Sequence, residues 1–163
     1  MLDWMLMPLR RYADFNGRSR RKEFWSFFLL NMIVSAVLIG PLYSVIISNA
    51  MTMAASDPDS FEAAAASGFQ FGDHPIATAL AGLGILWSLG TLIPNIAVTV
   101  RRLHDRDMSG WWYLGMIVAS IIPFLGILAA LAFLVLMFLE GTKGPNRFGP
   151  DPKAPAGNSD VFN

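Results

Sequence analysis

Three apolar runs, residues 24–48, 76–100 and 111–139, hold no charged side chain. Crossing a hydrocarbon core of about 30 Å takes roughly 20 apolar helical residues, and each run meets that length. A chain with 54% hydrophobic residues and a mean hydropathy of +0.47 carries more apolar surface than a soluble domain of 163 residues hides, so the surplus belongs in lipid. The expected fold class is all-α: a polytopic membrane protein, a small bundle of three to four transmembrane or re-entrant helices with an N-terminal interfacial helix. One membrane domain over 1–152 is expected, followed by a flexible tail, 153–163.

A formal net charge of 0 conceals a strong asymmetry. Every Lys and Arg falls within 10–22, 101–106 or 143–153, whereas the loop 49–75 has only acids, Asp57, Asp59, Glu62 and Asp73. By the positive-inside rule the first two basic patches are cytoplasmic and the acidic loop is outside. The chain is therefore expected in the bacterial inner membrane, multi-pass, with its N-terminus in the cytoplasm. Cysteine is absent, which excludes disulfides, thiolate metal sites and a cysteine nucleophile. The first run is too long for the core of a signal peptide and reads as a retained helix.

The third run leaves topology open. As one straight helix its 29 residues would reach roughly 44 Å. A break near 123–126, at Pro123 and Gly126, would make a hairpin, return the tail to the cytoplasm and place every basic patch on one side. A single tilted span would leave Lys143, Arg147 and Lys153 outside. Two legs of 12 to 16 residues are short for a full crossing; the cytoplasmic tail is nevertheless the expectation taken.

Smaller signals concern packing. Leu2, Met5, Leu6 and Leu9 recur at helical spacing, which suits an interfacial helix, although Pro8 interrupts it. Ala77, Ala81, Gly84 and Ser88 form a small-residue stripe for close helix approach, and Asn31 and Asn95 are candidates for interhelical hydrogen bonds. The Ala-rich segment of the outer loop is expected to form a short helix. No Asp, Glu, Lys, Arg or His lies deep in a run, which counts against a proton-coupled carrier.

Between the second and third runs stands "VRRLHDRDMSGWW". If the second helix continues into it, Arg101, His104 and Asp105 share a face and Arg102 pairs with Asp105. Ser109 and Gly110 then end the helix, and Trp111 and Trp112 re-enter through the aromatic belt. With "GRSRRKEFW" and "GPNRFGPDP", in that order around apolar helices, the stretch resembles the bacterial inner-membrane family of domain of unknown function 805, which takes in YhaH-like proteins. The resemblance runs from about Tyr12 to Pro152, the Ala-rich outer loop looking like an insertion. It implies a small polytopic protein and supplies no substrate, cofactor or catalytic residue. It singles out Gly17, Arg18, Arg21, Glu23 and Trp25; Arg101, Arg102, Leu103, His104, Asp105, Ser109, Gly110, Trp111 and Trp112; and Gly144, Asn146, Arg147, Gly149, Pro150, Asp151 and Pro152.

Four function classes follow. In the first, the arginines, with Trp25, Trp111 and Trp112 beside them and Asn146 and Arg147 from the third motif, grip an anionic phospholipid headgroup or an acidic segment of another membrane protein, because a guanidinium donates bidentate bonds to phosphate or carboxylate. In the second, Arg18, Arg21, Arg101 and Arg102 pair with Glu23, Asp105 and Asp151 in a structural clamp of a membrane assembly subunit. An enzyme would use His104 as general acid or base, oriented by Asp105 or Asp107. Adjacent His and Asp on one helix diverge, however, and a single histidine on that face makes a zinc site a poor fit. A transporter would need a homo-oligomer, since so few helices enclose little space. Nucleic acid is set aside because topology accounts for the basic residues, and no cofactor is implied.

Overall fold

The computed structural model describes residues 2–56 and 73–154; the Ala-rich loop segment and the end of the tail lie outside them. Five helices make up the described residues: α1 Leu2–Arg10, α2 Arg21–Ser56, α3 Pro75–His104, α4 Trp111–Ser120 and α5 Pro123–Phe138. Among the described residues no strand accompanies them, and the class is all-α. Helices α2 and α3 are long and apolar enough to cross a bilayer. The large hydrophobic residues they expose are Ile, Leu, Val, Phe and Met, together with Tyr43, a surface suited to lipid.

The chain divides into two compact units, Leu30–Thr91 and the combination of Met1–Leu29 with Leu92–Asn163. Within the first, the small-residue stripe does what its spacing suggests. Ala77 and Ala81 are buried, and a Cβ on Gly84 would stand 2.6 Å from Cγ1 of Ile39, so only glycine lets the helices approach this closely. Trp87 Nε1 donates to Asn31 Oδ1 across the pair at 3.1 Å, which satisfies two polar groups where no water is at hand.

In the second unit, α1 keeps Pro8 within its last turn and buries it. Arg20 lies over the Trp4 ring, 5.8 Å from its centre. Helix α3 does not end at Ser109 and Gly110. Asp107 adopts φ 58°, and the amides of Asp107 and Met108 bond back to the carbonyls of His104 and Leu103, the paired closure of a left-handed helix stop. Asp is among the few residues other than Gly that accept that backbone region. Gly110 instead opens α4.

The third apolar run is two helices, not one. Ile122 is extended, at φ −93° and ψ 117°, and Pro123 starts α5, so the turn falls at 121–122, just ahead of the expected break. The legs pack on each other, with Tyr113 and Phe133 rings 6.0 Å apart. Their 10 and 16 residues give lengths of about 15 and 24 Å, both less than a hydrocarbon core. The hairpin brings Leu139 and the tail back to the end of α3 that bears the arginines.

Candidate functional site

The site begins with the charges at that end. Arg101 and Arg102 are fully enclosed, and Arg18, Glu23 and Asp105 nearly so. Ionised groups out of water demand counter-charges and hydrogen bonds, and the folded chain supplies both. Asp105 is the hub. Its Oδ1 accepts from Arg18 Nε at 2.9 Å, and its Oδ2 accepts from Arg102 Nη1 at 2.5 Å. Arg101 Nη2 donates to Glu23 Oε1 at 3.0 Å, and Ser19 Oγ donates to the other Glu23 oxygen at 2.8 Å. The Ser19 amide bonds the Arg101 carbonyl at 3.1 Å, which fastens the first motif to the second.

Further arginine donors go to the end of α5 and the segment after it. Arg18 reaches the carbonyls of Gly144 and Thr142 at 2.6 and 2.5 Å. Arg102 reaches those of Met137 and Leu139, and Arg106 that of Glu140 at 2.7 Å. Thr142 answers with its amide and hydroxyl on the Asp105 carbonyl. Gly141 lies so close that a Cβ there would collide with the Asp105 carboxylate.

The third motif forms a tight loop over the charged end of α3, the collar of Arg101 to Asp107. Asn146 and Gly149 exchange backbone bonds, and Asn146 Oδ1 accepts the Phe148 amide. Asn146 Nδ2 then donates to the His104 carbonyl at 2.9 Å, Phe148 stacks on the His104 ring at 3.9 Å, and Arg147 pairs with Asp107 at 3.2 Å. Asp151 accepts the Gly144 and Lys153 amides. Those bonds, chiefly the one from Lys153, hold its carboxyl below the usual carboxylate range. Asp14 is lowered likewise, mainly by the Arg11 side chain, whose Nη2 is 2.7 Å away.

Of the candidates, Arg18, Glu23, Arg101, Arg102, His104, Asp105, Asn146 and Arg147 come together in one network. Arg21 goes to Glu140 at 2.5 Å and to the Phe138 carbonyl. Trp25 packs against Phe138, ring centres 4.3 Å apart and planes tilted by 30°. Trp111 and Trp112 face outward. Among the described residues no carboxylate orients His104: Asp105 is held by two arginines, Asp107 by Arg147, and His104 Nδ1 is 3.3 Å from the Gly17 carbonyl. Among the described residues no three His, Asp or Glu side chains gather to hold a metal ion. Sequence reasoning missed Ser19, Arg106, Glu140, Thr142 and Phe148. Glu140 had a signal, as the acid that ends the last apolar run; Thr142 had none.

Residues 12–150 match the family described as Protein of unknown function (DUF805). The inner membrane protein YhaI of Escherichia coli is 35% identical over 152 residues, 93% of this chain and 97% of its own length. The inner membrane protein YhaH of the same organism is 37% identical over 153 residues, 93% of this chain and 98% of its own. YiiR, also of Escherichia coli, is 38% identical over 78 residues, 37% of this chain and 53% of its own. No solved structure matches.

Proposed function

The chain belongs to the DUF805 family as an integral inner-membrane protein, and on that premise we propose that it is a small membrane scaffold whose arginine motifs lock helix ends and C-terminal strap into one platform at the cytoplasmic face. One observation carries the reading: Arg18, through Nε, Nη1 and Nη2, and Arg102, through Nη1 and Nη2, both buried, donate to Asp105 and to four carbonyls, those of Met137, Leu139, Thr142 and Gly144. The acidic group that they grip is the chain's own. The run of basic residues and the hairpin's return both support the cytoplasmic placement. The test is Arg102→Ala, purified into nanodiscs containing phosphatidylglycerol. The scaffold reading expects a collapse of thermal stability with the bound phospholipid unchanged. Loss of bound phosphatidylglycerol from a protein as stable as the parent would overturn it.

A second reading, an anionic phospholipid headgroup or the acidic segment of a partner held at the cluster, is favoured by Arg101. This residue is fully enclosed, yet its Nε and Nη1 have no hydrogen-bond partner, with Asp14 3.9 Å from Nη1. Buried donors left unmatched are costly, so an anionic oxygen arriving there would be well rewarded. Arg101→Lys, which keeps charge but loses the fork, would then shed co-purified anionic lipid while remaining folded.

A further inference from the structure

Beside the clamp, a cleft of about 540 Å³ opens between the loop preceding α2 and the junction of α3 with α4. The volume is ordinary for a site that takes a small ligand. Its walls are Phe15, Ile96, Val100, Leu114 and Ile117, with Trp111 among them. Leu114, Ile117 and Trp111 are exposed members of an apolar run, so the cleft is reached from lipid. Among the described residues no Asp, Glu, Lys or Arg lines it, although such residues crowd the adjacent arginine cluster.

Its polar groups are His104, Ser109 and Tyr113. The Gly17 carbonyl beside His104 Nδ1 can only accept, so in the neutral ring Nδ1 carries the proton and Nε2 is left as an acceptor. Phe148 covers one ring face and fixes its orientation. Ser109 Oγ accepts the Trp111 amide at 3.4 Å, which leaves its hydroxyl hydrogen to donate. An acceptor and a donor, with the Tyr113 hydroxyl able to act as either, among lining side chains that are otherwise apolar match an uncharged head with hydroxyl or carbonyl oxygens. A charged head would lose its hydration with no counter-charge on the walls.

We infer that this cleft binds an uncharged membrane amphiphile, an apolar chain or ring bearing hydroxyl or carbonyl oxygens, with its head at His104 and Ser109 and its body along Leu114 and Ile117. Quinones and diacylglycerols both present that chemistry. The site shares His104 with the clamp's network and takes its other lining residues from outside it.

The test uses the full chain in phosphatidylcholine nanodiscs, titrated separately with decylubiquinone, dioctanoylglycerol and dioctanoyl phosphatidic acid, binding being read from the thermal-unfolding shift. Saturable binding of either neutral probe is expected. Leu114→Trp fills the cleft from an exposed position and should weaken binding about tenfold or more, near 1.4 kcal/mol. Ser109→Ala should weaken it about threefold, the worth of one neutral hydrogen bond. Decylubiquinone alone binding assigns a quinone-like head, dioctanoylglycerol alone a glyceride, and both together the wider class. The inference is overturned if neither neutral probe saturates, if Leu114→Trp binds as tightly as the parent, or if phosphatidic acid binds best.

Discussion

Asp105→Asn removes one negative charge and almost no volume from the centre of the clamp. In the parent, one carboxylate serves two guanidiniums, with side-chain exposures of 5% for Asp105, 1% for Arg18 and 0% for Arg102. Asparagine keeps one acceptor oxygen and turns an amino group toward whichever arginine loses its partner, donor against donor. Removing one member of a buried ion pair costs about 3 to 5 kcal/mol, because the charge left behind cannot be rehydrated. With two arginines depending on Asp105, the loss should fall in the upper half of that range. The internal control is Asp107→Asn. Its pair with Arg147 is 3.2 Å long but about half exposed on both sides, and exposed pairs contribute about 0 to 1 kcal/mol. Denaturant unfolding of both variants in the same nanodiscs, followed by tryptophan emission, gives the comparison. If Asp105→Asn costs no more than about 1 kcal/mol beyond Asp107→Asn, the network does not hold the platform together and the clamp argument fails.

Gly141→Ala should destabilise the protein by about 1 to 3 kcal/mol, the usual cost of overpacking, because its methyl group meets the Asp105 carboxylate; the same denaturant series measures it. Asn31→Ala should cost only about 0.6 kcal/mol, typical of an interhelical bond in lipid, whereas Gly84→Leu should prevent the α2 and α3 segments of the Leu30–Thr91 unit from packing against Ile39 and remove the cooperative transition. Asp151 and Asp14 have folded pKa values below their unfolded ones, so their stabilisation is complete above about pH 4 and is lost as pH falls through the folded values. Pepsin cleavage of the strap should therefore rise only below about pH 4, and release near pH 6 would implicate another group. Because the chain contains no cysteine, single cysteines report topology directly: Lys22→Cys and Lys143→Cys should label from the cytoplasmic side, and Ser120→Cys, at the hairpin tip, from neither. Periplasmic labelling of Lys143→Cys would sever the strap from the collar.

The alternation of oily and basic stretches made the helices legible, because long uncharged runs have one stable solution in lipid and small residues at three- and four-residue steps have one use. The pairing of Arg102 with Asp105 was legible too, since three residues along a helix places both on one face. The ends of elements were harder. Asp107 stops α3 through a left-handed backbone that Gly110 seemed better suited to supply, and Ile122 reverses the chain just before the proline that suggested a break.

From its sequence alone this protein's solvent was determined, along with its helical class and the concentration of arginine at the ends of its apolar runs, since these follow from local composition and covalent spacing. Which acceptor each arginine takes was decided only by the tertiary structure. A guanidinium has five donors and donates to any oxygen within reach, and the oxygens that Arg18, Arg102 and Arg106 find are mostly backbone carbonyls between Met137 and Gly144, which every residue possesses and no side chain announces. The turn at Ile121 and Ile122 carries those carbonyls to the collar.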